Sequence, residues 1–109
     1  MRIWDIPPKK LCRNHLLGEH RELHAIWSIL TEGKTGYANH PETKRWRERL
    51  KALYLRHDEL VKEMIRRGYR HKSPLEKQLA TGQSEQIVFV DPPDTQKKIL
   101  KKKNCGCLV

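Results

Sequence analysis

The chain holds no apolar run approaching the roughly 20 residues that a membrane-spanning helix needs. Its first residues, Met1-Arg2-Ile3-Trp4-Asp5, form no apolar signal region, so neither a secretory leader nor a membrane anchor is expected. Cysteine is scarce. Three residues, an odd number without a secretion signal, point to a reducing, cytoplasmic setting rather than a disulfide framework. Cys105 and Cys107 stand close together near the C-terminus, so a zinc ligand set would have to be completed from elsewhere, and no structural metal is expected. Acidic residues are also short. Against 23 Lys and Arg there are 13 Asp and Glu, a net charge of +10. Such an excess repels itself unless a polyanion is the usual partner; nucleic acid comes first and an anionic membrane surface second.

What is present fits one domain, residues 1–109, with a thin core under amphipathic helices, since 33% of residues are charged and 37% hydrophobic. No internal repeat is visible. A short extended lead, Arg2 to Ile6, is closed by Pro7-Pro8, and proline is tolerated in a helix's first turn. From Lys9 to about Thr31 the apolar residues Cys12, Leu16, Leu23, Trp27 and Leu30 recur at helical spacing, and Gly33 and Gly36 end the helix. Residues 33–41 read as a loop. A second long helix is expected from about Glu42 to Arg67, with Trp46, Leu50, Leu53, Leu60 and Met64 as its buried stripe and His57 on the same line. Arg66-Arg67-Gly68 is a stop signal. Ser73-Pro74-Leu75-Glu76 has the form of a capping box and predicts a short third helix ending near Gly82. Gln86 to Val90 reads as extended, and Asp91-Pro92-Pro93-Asp94 opens a last basic helix and tail, about 91–109. The expected fold is all-α: a single compact domain of two long antiparallel helices with shorter helices packed across them.

The densest polar cluster lies on the first helix: His15, Glu19, His20, Arg21, Glu22 and His24. Gly18 and Ala25 flank Glu22 one turn to either side, so the helix surface there is shallow and another group can approach the carboxylate. A solvated or closely packed face is the plainer reading. The functional one is a general base with Arg21 beside it to bind a phosphate. His20 and His24 have metal-binding spacing, but Glu sits in the wrong place for the His-Glu-x-x-His pattern, and hydrogen-bonded histidines are the plainer reading; no catalytic metal is expected. Arg2 is too bulky for the usual removal of the initiator, so Met1 should remain with a free amine. Free α-amines titrate at about 7.7–8.0, so a useful fraction is neutral and nucleophilic at cellular pH.

Together these residues resemble the pyrimidine-dimer DNA glycosylase family, also called the phage-type endonuclease V family. The resemblance is carried by Arg2-Ile3, by His15-Leu16-Leu17-Gly18-Glu19-His20-Arg21-Glu22-Leu23, by Leu55-Arg56-His57-Asp58-Glu59-Leu60 and by Arg66-Arg67-Gly68-Tyr69. It covers about residues 1–75. It implies that the nucleophile is the α-amine of Met1 and the catalytic carboxylate Glu22, with Arg2, His15 and Arg21 binding the substrate. It further implies attack at C1′ of a damaged or abasic nucleotide, an imine to the sugar, and strand cleavage by β-elimination, with no metal or cofactor. The implied partner is double-stranded DNA with a damaged or abasic site, met by a monomer associated with the nucleoid when bound. Three departures from the family pattern stand out. Met1 takes the place of a small first residue. Ala25 (or Ile26) takes the place of a further arginine. The chain ends Lys-Lys-Lys-Asn-Cys-Gly-Cys-Leu-Val instead of in an aromatic basic tail.

Lys97, Lys98, Lys101 and Lys102, with Lys103, are candidate contacts to the DNA backbone, whereas Arg45, Arg47, Arg49, Lys51 and Arg56 read mostly as a solvated face. Trp4, Trp27 and Trp46 read as core, Trp4 being the one placed to face substrate. Two alternatives remain: a non-catalytic basic DNA-binding protein on the same scaffold, and a metal-linked interaction module built on Cys105, Cys107 and nearby histidines.

Overall fold

The computed structural model describes residues 1–71 and 73–109. Among these residues four α-helices follow one another: α1 (Arg13–Glu32), α2 (Pro41–Lys44), α3 (Leu50–Arg66) and α4 (Pro93–Lys103), with 3-10 turns at Pro8–Lys10 and Lys77–Leu79. No strand occurs among the described residues. The Cα radius of gyration is 13.5 Å, close to the ~13 Å of a compact 100-residue domain.

The core is the place where the lead, α1, α3 and α4 meet. Ile3, Ile6 and Leu11 of the lead, Leu16, Leu23 and Ile26 of α1, Leu53 and Leu60 of α3 and Leu100 of α4 are all buried. Each contributes about 1.5–3 kcal/mol by leaving water. Trp4, Trp27 and Trp46 join them, as their apolar bulk predicts.

The first helix starts later than its periodicity suggests. The Pro7-Pro8 corner closes a 3-10 turn on itself, Leu11 N–H donating to Pro8 O at 3.0 Å. Leu11 and Cys12 are then extended, which sends Leu11 into the core. The carbonyl of Leu11 is taken by the Arg67 guanidinium at 2.7 Å, and Arg67 is itself held by Glu63 at 2.6 Å. At its other end α1 stops where Gly33 turns left-handed, with φ 68°.

The expected helix over 42–67 is broken. It runs as α2, a turn and α3, with Glu48 left-handed at φ 61°. Two long-range demands outweigh helix propensity here. Arg45 turns inward and donates to Ile3 O at 2.9 Å and to the Asp5 carboxylate at 2.8 Å, and it also pairs with Glu42. The Glu48 carbonyl meanwhile accepts from Gln83 N–H at 2.8 Å and lies so near Gly82 that a Cβ there would fall 2.1 Å from it. Trp46 is buried as expected, but in the turn rather than on the helix.

The predicted third helix over 73–82 reduces to the single 3-10 turn at Lys77–Leu79. Its backbone is needed elsewhere. Thr81 O and Gln83 O accept from Lys51 and Ala52 N–H at 2.8 and 3.1 Å, capping otherwise unpaired donors at the start of α3. Residues 86–90 form no ladder and leave Ile87, Val88, Phe89 and Val90 exposed. The last helix begins with a proline in its first turn and ends with Asn104 left-handed, close to the range expected.

Two of the five cations assigned to a solvated face are buried. Arg45 is one. Arg56 is the other, and it grips Glu19 with two hydrogen bonds of 2.7 and 3.1 Å. Burial works against the Arg56 charge, but Glu19 outweighs it and raises the guanidinium's pKa, whereas on Glu19 burial outweighs Arg56 and raises the carboxyl's. Glu19 also accepts from Trp4 N–H at 3.0 Å, which ties the N-terminal lead to α1.

Candidate active-site cleft

Glu22 projects from α1 into an open cleft of about 700 Å³. Met1 lines the same cleft, together with His24, Ala25, Ser28 and Ile29 of α1 and Lys34, Gly36, Tyr37 and His40 of the following loop. Residues at opposite ends of the N-terminal segment thus share one concavity. The small Ala25 keeps the surface beside Glu22 open, and a Cβ on Gly18 would meet nothing within 4 Å.

The bulky first side chain is accommodated. Met1 packs partly against the core, and Thr43 Oγ1 donates to its Sδ at 3.4 Å. Across the loop, Tyr37 is 70% exposed and held left-handed at φ 57°, an unusual backbone for an aromatic residue. Tyr37, Lys34 and His40 were not among the residues singled out from the sequence. The only signal for them was an aromatic residue isolated in a Gly-rich polar loop.

The structure also gathers two sets of metal-binding atoms. Cys12, His15, Cys105 and Cys107 bring one donor each to within 4.8 Å of one another, and so do His20, His24, His57 and His71. Burial first, then mutual repulsion, pushes the His20 and His57 imidazoles down to about 4. Spacing along the chain could not reveal either set, because each joins segments far apart in sequence.

A scan against protein-family models matches residues 1–77 to the pyrimidine dimer DNA glycosylase family. The chain belongs to that family. Searches of curated proteins and of solved structures returned no match. The family region contains the whole cleft and ends before α4 and the Cys105–Cys107 tail. DNA is accordingly the family's substrate, and among the described residues no helix is long and apolar enough to cross a membrane.

Within this glycosylase framework the substrate-binding candidates are spread out. Arg21 is exposed on α1, outside the cleft lining. Arg2 lies over the Trp4 ring at 5.0 Å and pairs with Asp91 at 2.9 Å, so it bridges the lead to the start of α4. Trp4 is 6% exposed and meets the His15 ring edge-on at 5.6 Å. His15 in turn faces the cysteines, with Nδ1 3.1 Å from Cys12 Sγ. Lys98, Lys101 and Lys102 are exposed on α4, and Lys97 is half-buried.

Proposed function

We propose that the protein is a DNA glycosylase and abasic-site lyase that works through the α-amine of Met1, with Glu22 as its acid–base group. The observation that carries this reading is the shared cleft of Met1 and Glu22. The neutral amine attacks C1′ of the damaged nucleotide; the glycosidic bond breaks, the base leaves with the bonding electrons and takes up a proton, and the nitrogen gives up one of its two protons. The C1′–O4′ bond then breaks, O4′ takes up a proton as the sugar ring opens, and an iminium forms between the Met1 nitrogen and C1′. That cation is an electron sink and acidifies C2′–H. Glu22 takes this proton, the C3′–O bond breaks, and the 3′-phosphate departs. Water then hydrolyses the imine and frees the amine. The Glu22 carboxylate also offsets the iminium charge.

Binding follows from the surroundings. Lys34 at the cleft and Arg21 on the exposed face of α1 supply cations for the flanking phosphates. Tyr37 offers an exposed ring at the cleft edge on which an unstacked base can rest. Damaged and abasic positions cost least to open. Met1 in place of a small first residue and Ala25 in place of a further arginine favour abasic sites as the main substrate over pyrimidine dimers.

The test is borohydride trapping on a duplex with one abasic site. A covalent adduct that disappears when the N-terminus is blocked is the expected result. Glu22→Gln should still bind the duplex while strand cleavage falls by at least about 100-fold, the usual scale for a general base. An intact binding isotherm with no adduct would instead favour the non-catalytic DNA-binding reading.

A further inference from the structure

We propose that Cys12, His15, Cys105 and Cys107 form a tetrahedral zinc site that staples the C-terminal tail to the start of α1. At Zn–S of about 2.3 Å and Zn–N of about 2.0–2.1 Å, two sulfurs on one ion lie about 3.8 Å apart, and a sulfur and a nitrogen about 3.6 Å apart. Here Cys105 Sγ and Cys107 Sγ are 3.5 Å apart, and Cys107 Sγ lies 3.6 Å from His15 Nδ1. Cys12 Sγ is 3.1 Å from the same nitrogen, and every donor pair is within 4.8 Å. Three of the six donor pairs thus lie within about 0.5 Å of the tetrahedral spacing. Three cysteines and one histidine are a ligand set typical of closed structural zinc sites.

The backbone around the site is built for this. Gly106, at φ 97°, makes the tight turn that lets Cys105 and Cys107 face one centre. Leu108 N–H donates to Lys10 O at 2.7 Å, which fixes the tail beside Cys12. Cys12 N–H points at Cys107 Sγ at 3.1 Å, an outer hydrogen bond that favours a thiolate. Three thiolates and Zn²⁺ leave one negative charge, next to a helix whose last turn carries Lys101, Lys102 and Lys103. All three cysteines are free thiols, available as ligands. On this reading Nδ1 of His15 belongs to the metal rather than to DNA.

An independent observation assigns a second ion to His20, His24, His57 and His71. Nε2 of His24 lies 3.2 Å from Nε2 of both His20 and His57. Two imidazole nitrogens on one tetrahedral zinc would be about 3.3 Å apart. Among the described residues, His71 Nε2 is buried with no hydrogen-bond partner, which an ion at the centre would remedy. Four neutral imidazoles suit a borderline divalent ion, and zinc is the one tested below.

The experiment is native mass spectrometry and metal analysis of the full-length, untagged protein, followed by chelation and titration with zinc alone. Two zinc ions per chain are expected, with one lost in Cys105→Ser/Cys107→Ser and the other lost in His57→Gln. Substituting cobalt separates the sites without relying on the stability of any variant. A thiolate-to-cobalt charge-transfer band should appear in the wild type and in His57→Gln, and vanish in the double cysteine variant. Wild-type protein that carries no stoichiometric zinc and binds none on titration would overturn both assignments. One zinc with no thiolate band would overturn the cysteine site; one zinc with the band intact would overturn the histidine site.

Discussion

Arg56→Ala removes the partner of a carboxylate that sits fully inside the protein. Glu19 has no exposed side-chain surface, and it would lose donors at 2.7 and 3.1 Å while keeping only Trp4 N–H at 3.0 Å. Breaking a buried pair in this way costs about 3–5 kcal/mol, a large share of the roughly 5–15 kcal/mol that holds a domain of this size together. With a urea m-value of about 1–3 kcal/mol/M, the unfolding midpoint should fall by at least about 1 M. The loss should also depend on pH. Burial already holds the Glu19 carboxyl above its ordinary value with Arg56 in place, and without Arg56 it rises further. The variant then recovers stability as pH falls through that raised value, and the gap to wild type narrows in acid. Glu19→Met/Arg56→Met, which replaces both charges with apolar side chains, should regain most of the loss. A midpoint for Arg56→Ala within about 0.3 M of wild type at pH 7, equivalent to less than about 1 kcal/mol, would refute the reading of this pair as the anchor between α3 and α1.

Other perturbations test separate parts of the structure. Hydrogen bonding from Arg66, with further help from Arg67, depresses the Glu63 carboxyl to about 2. Its contribution is therefore present above the unfolded carboxylate value, about 4.3, and is lost as pH falls toward 2. The stability difference between wild type and Glu63→Gln in urea melts should shrink over that window, and a constant difference would contradict it. Tyr37→Ala should weaken binding of an abasic duplex by the loss of one stacked base, about 1–3 kcal/mol, with little change in melting temperature because the ring is 70% exposed. Lys101→Ala/Lys102→Ala should weaken binding to all duplex sequences alike and reduce the salt slope by about two, as read from binding isotherms across a salt series.

The parts of this protein that were legible in the sequence are those set by local chemistry. The apolar period of α1 and α3, the left-handed Gly33, and the proline that opens α4 each act over a few residues, and each appears where expected. The errors share a different origin. Residues 42–49 carry a good helical pattern, yet Arg45 is drawn inward by Asp5 and by the Ile3 carbonyl, both some 40 positions away. The capping-box string at Ser73 is sound, but the chain just beyond it is needed to cap α3, and Gly82 must approach Glu48 O more closely than any side chain allows.

The site divides along the same line. Glu22 was conspicuous because its helix neighbours are small, whereas Tyr37 drew no attention because a lone loop aromatic has no local pattern. Cys105 and Cys107 looked like an incomplete ligand pair because their partners, Cys12 and His15, lie 90 or more residues earlier. His20 and His24 looked like ordinary helix histidines because His57 and His71 come from another helix and the chain beyond it. The chemistry proposed for the cleft uses Met1 and Glu22, both inside the family region, while the sulfur cluster depends on a tail outside it. The two can therefore be lost separately. Removing the tail thiols should loosen α4 and its lysines from the body and weaken DNA binding, and it should leave Met1 and Glu22 facing the same cleft.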